Sequence, residues 1–172
     1  MNRRIVVLAA ATVAALSYAG WVAWAEEETT DTTVLAKVLP QASVTLEQGL
    51  RAAEPQGKPT SAKYEIEDGK LQLSVYTVSR EQYSEVIVDH RSGAIDSSEA
   101  ITSGDDFKAA TAQGAVMLKA KTPLDAAVSH AVQANAGWRA VSVTPALDGE
   151  HPVAIVVLMN GAEVKKLTEK LD

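Results

Sequence analysis

The sequence predicts an α+β fold in which helices pack on an antiparallel β-sheet. Two stretches alternate apolar and polar residues, a pattern typical of half-buried strands. Tight-turn dipeptides separate successive strands in both stretches, Asp68-Gly69 in the first and Asp148-Gly149 in the second. A run with helical apolar periodicity precedes each stretch. The order helix, strand, Asp-Gly turn, strand, turn, strand therefore occurs twice. It predicts two repeats, each a helix followed by a three-stranded meander, joined by a connecting helix.

Composition restricts the chemistry that this chain can perform. Its 172 residues suit one domain or two small repeats that share a core. The absence of cysteine excludes disulfides, thiolate catalysis and thiolate metal sites. The formal net charge is −6 at pH 7, and the sequence has no basic patch. An acidic chain of this kind is a poor match for nucleic acids and for anionic membrane surfaces.

Residues 1–25 have the anatomy of a secretory signal peptide. Arg3 and Arg4 form a charged start, residues 5–22 are largely apolar, and residues 23–25 (AWA) form a small-x-small cleavage site. The alternative is an uncleaved anchor, because the apolar run is about long enough to span a bilayer. Both interpretations place the body of the protein outside the cytoplasm, either periplasmic or secreted. Any membrane association would be through this segment.

The first repeat spans residues 44–96, after an acidic linker and a short apolar turn at residues 26–43. The polar start of the linker (EEETTDTT) has nothing to bury and is expected to be disordered. Thr45 and Gln48 form a capping-box pattern that begins a helix. Three strands are then predicted within residues 61–95 (SAKYEIEDGKLQLSVYTVSREQYSEVIVDHRSGAI).

The third of these strands ends in the turn Asp89-His90-Arg91-Ser92-Gly93. The Asp89 side chain can accept backbone N–H groups of the turn, and Gly93 can take a left-handed conformation. We therefore interpret the turn residues of both repeats as structural: Asp68, Gly69, Asp89, Ser92, Gly93, Asp148 and Gly149.

A polar connector and the connecting helix are predicted over residues 97–121, with Asp105 and Asp106 at the helix N-terminus. One apolar face is expected on this helix, made of Phe107, Ala110, Gly114, Met117 and Leu118. The second, degenerate repeat covers residues 122–172, and its helix begins at Thr122-Pro123. This repeat has no counterpart of the turn that ends the first.

The segments TLEQGLRAA (45–53), YEIEDGKLQLSVY (64–76) and EVIVDHRSGAI (85–95) together resemble the PepSY family. The family's helix, three-stranded meander and D-x-x-[ST]-G turn are all recognisable here, and VDHRSG is the most specific part. The resemblance covers most of the chain after residue 25. It implies a non-catalytic extracytoplasmic module, of the kind found in peptidase propeptides and in cell-envelope proteins. A protease-inhibitory or regulatory role has been proposed for the family.

No set of residues in the sequence predicts a catalytic, cofactor or metal site. The three histidines, His90, His130 and His151, show no spacing that would bring ligands together, and we interpret them as surface residues. Asp89, His90 and Ser92 resemble the members of a catalytic triad, but neighbours in a turn point in different directions. No G-x-S-x-G, Walker or dinucleotide motif is present.

The function that these observations favour is a binding module for a protein partner, with a peptidase as the candidate partner. Glu65, Glu67, Glu81 and Glu85 are interpreted as a solvated sheet face. Such a face, or a free sheet edge that pairs with an extended peptide, is the recognition mechanism available to this fold. Two alternatives stay open: a small periplasmic hydrolase with an unrecognised site, and an envelope protein that binds a metal or small ligand. The first needs a deep pocket with converging titratable groups, and the second needs histidines and acids that meet.

Overall fold

The computed structural model describes residues 32–172. The predicted signal peptide (1–25) and the first residues of the predicted linker (26–31) lie outside this range. Among the described residues, no helix has the length and apolar character needed to cross a membrane.

The predicted α+β class is confirmed, because within residues 32–172 four α-helices pack on one antiparallel sheet. The helices are α1 (Thr32–Val38), α2 (Leu46–Ala53), α3 (Gly104–Lys119) and α4 (Leu124–Gln133). The strands are β1 (Lys58–Glu67), β2 (Lys70–Ser79), β3 (Gln82–Val88), β4 (Ile95–Ile101), β5 (Arg139–Asp148), β6 (His151–Asn160) and β7 (Glu163–Lys170). Their order across the sheet is β4-β3-β2-β1-β5-β6-β7, so β4 and β7 are the edge strands.

The predicted number of strands is wrong, because a seventh strand, β4, follows the turn at residues 89–93. Most of this segment is predicted to be a polar connector, whereas β4 pairs antiparallel with β3 from Ile95 to Ile101. Its side chains are almost all exposed, so no apolar alternation marks it as a strand. The residues of β4 form a strand because their backbone pairs with β3. The first unit therefore has four strands, and the structure does not confirm two equivalent three-stranded repeats.

Local signals locate the two helices that begin the predicted repeats. The Thr45 hydroxyl accepts from the backbone N–H of Gln48 (3.3 Å), and the Gln48 side chain accepts from the backbone N–H of Thr45 (2.8 Å), which completes the predicted capping box. Leu46 and Leu50 of this helix are buried. In the second helix the expected start is displaced by one residue, since Pro123 is the N-cap and the helix begins at Leu124.

Helices cover both faces of the sheet, but to different extents. Gly49 of α2 lies against Leu73 of β2, and His130 of α4 contacts Glu169 of β7. The strand register places Leu73 and Glu169 on the same face of the sheet, so α2 and α4 share that face. Side chains alternate along a strand, so the neighbour of Leu73, Ser74, points to the other face. Helix α3 lies on that other face, and we call this face of the sheet the α3 face.

The contacts of α3 place it near one end of the α3 face. Ser61 at the start of β1 donates to Gln113 (2.7 Å), and Gly114 packs against the Tyr83 ring at the start of β3. The expected apolar stripe of this helix is partly wrong. Ala110, Gly114 and Met117 are buried, but Phe107 is 37% exposed and Leu118 is 86% exposed. A helix that contacts a sheet along a narrow strip buries only part of its own apolar face.

Arg139 connects the segment before α2 to the sheet. Its guanidinium donates to three backbone carbonyls of that segment, those of Leu39 (3.3 Å), Ala42 (2.8 Å) and Val44 (2.6 Å). It also donates to the Tyr64 hydroxyl (3.2 Å) and lies 5.3 Å from the centre of the Tyr64 ring. Tyr64 in turn donates to the Val44 carbonyl. Burial raises the pKa of Tyr64, so the hydroxyl stays protonated and serves as a donor.

Replacement of Arg139 by methionine is expected to lower the free energy of unfolding by about 2–4 kcal/mol, because charged donors to partly buried carbonyls are lost. Urea denaturation of the purified protein measures this change. Arg51→Met is the matched control. Arg51 is half-exposed and forms a surface ion pair with Asp125 (3.1 Å), so its loss should cost about 0.5 kcal/mol or less. Equal losses in the two variants would contradict the role given to Arg139.

Candidate functional site

The turn at residues 89–93 is a closed hydrogen-bonded unit. The Asp89 carboxylate accepts from the backbone N–H groups of Arg91 (3.2 Å) and Ser92 (2.6 Å) and from the Ser92 hydroxyl (2.6 Å). The backbone N–H of Gly93 donates to the Asp89 carbonyl (2.8 Å), and Gly93 has a φ of 80°. The Ser92 hydroxyl also accepts from the backbone N–H of Ala94 (3.3 Å). Both hydrogen-bonding functions of this hydroxyl therefore serve the turn.

The same turn fixes the entry to α2. The His90 carbonyl accepts from the backbone N–H groups of Ser43 (2.9 Å) and Val44 (3.0 Å). The Val44 carbonyl accepts hydrogen bonds from Arg139 and Tyr64. The turn and Arg139 are therefore both hydrogen-bonded to the backbone that precedes α2. The Ser92 hydroxyl contacts the Asp89 carboxylate directly and not an imidazole, an arrangement that does not activate a serine as a nucleophile.

Of the other predicted turn residues, Asp68, Gly69 and Gly149 lie in two-residue hairpin turns, whereas Asp148 is the last residue of β5 and pairs with His151. Asp68 and Gly69 have positive φ angles of 49° and 73° between β1 and β2, and Gly149 has a φ of 61° between β5 and β6. Both residues of a third two-residue turn, Arg80 and Glu81, also have positive φ angles (49° and 67°). These two residues carry none of the usual Asn or Gly signal of such a turn, so the sequence indicates only a polar loop there.

The histidines lie apart from one another and each has its own surroundings. His130 Nδ1 lies 2.6 Å from Glu169, and His151 Nδ1 lies 2.7 Å from Asp172. His90 Nδ1 is buried without a hydrogen-bond partner among the described residues. Within residues 32–172, no three His, Asp or Glu side chains come together in a way that could hold a metal ion.

Polar side chains connect β1 and β2 on the α3 face. Lys63 pairs with Glu65 (2.6 Å), and Glu65 accepts from the Ser74 hydroxyl (2.6 Å). Burial raises the pKa of Tyr76 far above its ordinary value, and the neighbouring Glu85 raises it further. Tyr76 is therefore a neutral hydroxyl, and it lies beside the Glu85 carboxylate on the neighbouring strand. Glu65 and Glu85 thus belong to a connected polar surface.

This polar surface extends to the free edge of the sheet. Tyr76, Glu85 and Glu99 lie side by side on β2, β3 and β4, since Tyr76 pairs with Glu85 and Glu85 with Glu99. Glu85 and Glu99 are thus directly opposite each other. Among residues 32–172 no other strand pairs with the outer side of β4. The exposed edge strand and its carboxylates are the feature of the described chain best suited to recognition.

Two shallow clefts lie in the surface of residues 32–172. The first has a volume of about 230 Å³ and is lined mainly by apolar residues of α2, α3 and α4, with Lys58 and Asp125. The Lys58 ammonium there donates to the Met117 carbonyl (2.8 Å), and Asp125 pairs with Arg51. The second, of about 250 Å³, lies between the Leu39 segment and the β6–β7 turn. Lys58 and Asp125 thus have partners within the chain, and Glu54 also lines the first cleft.

In comparisons with known proteins, no family model matches the chain, and neither a curated protein nor a solved structure matches it significantly.

Gly93→Val is expected to lower the free energy of unfolding by about 1–3 kcal/mol through backbone strain. The strain is conformational, because an added Cβ would meet only a Val44 methyl group at 3.7 Å. Gly93→Asn is the matched control and should cost less, since asparagine enters the left-handed region more readily. Thermal denaturation measures both. An unchanged midpoint for Gly93→Val would contradict the left-handed conformation.

Hydrogen bonds from Ser92, first from its hydroxyl and then from its backbone N–H, hold the pKa of Asp89 below its ordinary value of 3.8. A carboxyl whose pKa is depressed by folding contributes stability above about pH 4 and loses that contribution as the pH falls through the folded-state pKa. The difference in unfolding free energy between the native protein and Asp89→Asn should therefore shrink between about pH 5 and pH 2. Urea denaturation across this range measures it. In a Ser92→Ala background the pH-dependent part should be smaller, and a difference that does not vary with pH would contradict the effect.

Proposed function

We propose that this chain is a non-catalytic, extracytoplasmic PepSY-type module that binds a protein partner at the cell envelope. The proposal rests on one observation in the structure, the exposed edge strand β4, whose outer side pairs with no strand of residues 32–172. The resemblance of VDHRSG and its flanking segments to the PepSY family supports the class of protein. The signal-like residues 1–25 support the location.

Strand addition is the mechanism by which such an edge recognises a partner. An extended segment of the partner accepts and donates main-chain hydrogen bonds along β4, and its alternate side chains contact the two faces of the sheet. The neighbouring surface can add further contacts, up to the roughly 800 Å² per partner of a standard interface. A peptidase is the partner class that the resemblance suggests, with regulation of its activity as the consequence of binding.

The binding function is tested by affinity capture with the mature protein as bait in a periplasmic extract, followed by peptidase assays of the captured partner. We expect a specific envelope protein to co-purify and, if it is a peptidase, its activity to change when the module is added. The purified module alone should hydrolyse neither peptides nor esters. Hydrolysis that Ser92→Ala or His90→Ala abolishes would contradict the proposal and favour the enzyme.

The proposed location is tested through the N-terminus of the protein recovered after expression. Cleavage at the AWA site predicts a mature chain that begins at Glu26, in the periplasmic or secreted fraction. Intact-mass measurement decides this. A chain that retains Met1 and sediments with membranes would favour the anchor, and one that retains Met1 in the cytoplasm would contradict an extracytoplasmic role.

A further inference from the structure

The two edge strands of the sheet differ in how they are protected. Natural proteins often place lysines on an edge strand to prevent unwanted pairing. Strand β7 has Lys165, Lys166 and Lys170, whereas β4 (IDSSEAI) has no lysine and no proline. Asp96 forms a bulge near one end of β4, but the segment from Ser97 to Ile101 pairs with β3 in unbroken register. The exposed part of β4 is therefore the edge more open to an additional strand.

The side chains beside β4 indicate what such a strand would carry. Directly opposed like charges destabilise a pair of strands, yet Glu85 and Glu99 face each other. No lysine or arginine of residues 32–172 forms an ion pair with either carboxylate. The next position outward in this row would belong to an added strand. A cation there would be attracted by Glu99 directly and by Glu85 at longer range.

The next row of the sheet is apolar. Ile101 of β4 is half-buried and pairs with Tyr83, whose ring meets that of Phe107 edge-on at 5.9 Å between centroids. Side chains two residues apart on a strand share a face, so Ile101 and Glu99 lie on the same side of the sheet. An added strand would therefore meet an acidic position and an apolar position two residues apart.

We propose that β4 binds an extended segment of a partner protein by strand addition, and that this segment carries a lysine or arginine opposite Glu99 and an aliphatic residue opposite Ile101. The inference rests on the proposed binding function and names the site and the chemistry of the partner.

A second copy of this chain fits less well than such a partner. Pairing of two β4 strands would bring together segments that each contain Asp96 and Glu99 and no basic residue.

The probe for this site is a capped heptapeptide, TVTKTVT, in which a central lysine is flanked at two residues on either side by valine. Its symmetric pattern presents the required side chains in either strand direction. We expect saturable binding in fluorescence anisotropy, with amide NMR shifts at β3 and β4 and not at β7. Two control peptides separate the causes of binding. TVTETVT reverses the charge, and a peptide with N-methyl groups at alternate residues removes main-chain donors; both should bind at least about fivefold more weakly.

Two variants with the same change of charge test the location. Glu99→Lys should weaken peptide binding at least about fivefold, whereas Glu163→Lys on the opposite edge strand should leave it unchanged. Glu99→Lys should also raise the thermal midpoint, because it replaces the repulsion from Glu85 with an attraction. Loss of binding in a protein that is more stable cannot be assigned to misfolding.

Several outcomes would overturn the inference. Equal weakening in both variants would show non-specific attraction to an acidic protein, and undiminished binding of the N-methylated peptide would exclude strand addition. If the protein forms a dimer in solution and Glu99→Lys changes its dissociation, the strand bound at β4 belongs to a second copy of this chain. Capture of the same envelope partner by Glu99→Lys and by the native protein would refute the β4 site while leaving the proposed binding function intact. Absence of any partner, together with binding of the peptide at β4, would refute the proposed function alone.

Discussion

The interaction on which the rest of the structure depends is the hold of Arg139 on the backbone carbonyls before α2. Arg139 begins β5, and the carbonyls of Leu39, Ala42 and Val44 belong to a segment far away in the sequence. On its other side the Val44 backbone is bonded to the His90 carbonyl in the turn after β3. Three distant parts of the chain therefore meet at one short segment. Burial of carbonyls without donors is costly, and here a permanent cation and a neutral tyrosine hydroxyl supply them. The position of α2, and with it the packing of Leu46 and Leu50 on the sheet, follows from this arrangement.

A second constraint is the weak junction in the middle of the sheet. Strands β1 and β5 pair only at Ala62–Val143 and Lys63–Ser142, whereas β1 and β2 pair along nearly their whole length. The two halves are joined further by helices, since α2 contacts α4 through the Arg51–Asp125 pair and α3 contacts both β1 and β5. The sheet is thus continuous in hydrogen bonding but depends on the covering helices at its centre. This division also explains why the sequence resembles two units even though the structure does not show equivalent repeats.

Much of the fold could be predicted from local signals, and the remainder depends on long-range pairing. The α+β class, the Thr45–Gln48 capping box and the Asp68-Gly69 hairpin each depend on neighbouring residues, so the sequence reveals them. Strand β4 could not be predicted from the sequence, because its exposed side chains have no apolar alternation. Its pairing with β3 is what makes it a strand. Phe107 and Leu118 fit an apolar helical face in sequence, but the placement of α3 across the sheet decides that they stay exposed. The importance of Arg139 could not be predicted, because its partners are far away in the sequence. The opposition of Glu85 and Glu99 could not be predicted either, because it depends on the register of a strand that the sequence does not indicate.

The short junction between β1 and β5 has a consequence for how the chain folds. Each half of the sheet consists of strands joined by tight turns, so its contacts are local and can form quickly. The β1–β5 junction closes a much longer loop, and the entropy of that closure must be compensated by few strand contacts. The four-stranded half and the three-stranded half should therefore form before they join, and the centre of the sheet should be the last part to become protected from hydrogen exchange in pulse-labelling experiments. The four N-terminal strands, including the β4 edge, would then form before Arg139 of β5 fixes the segment that precedes α2.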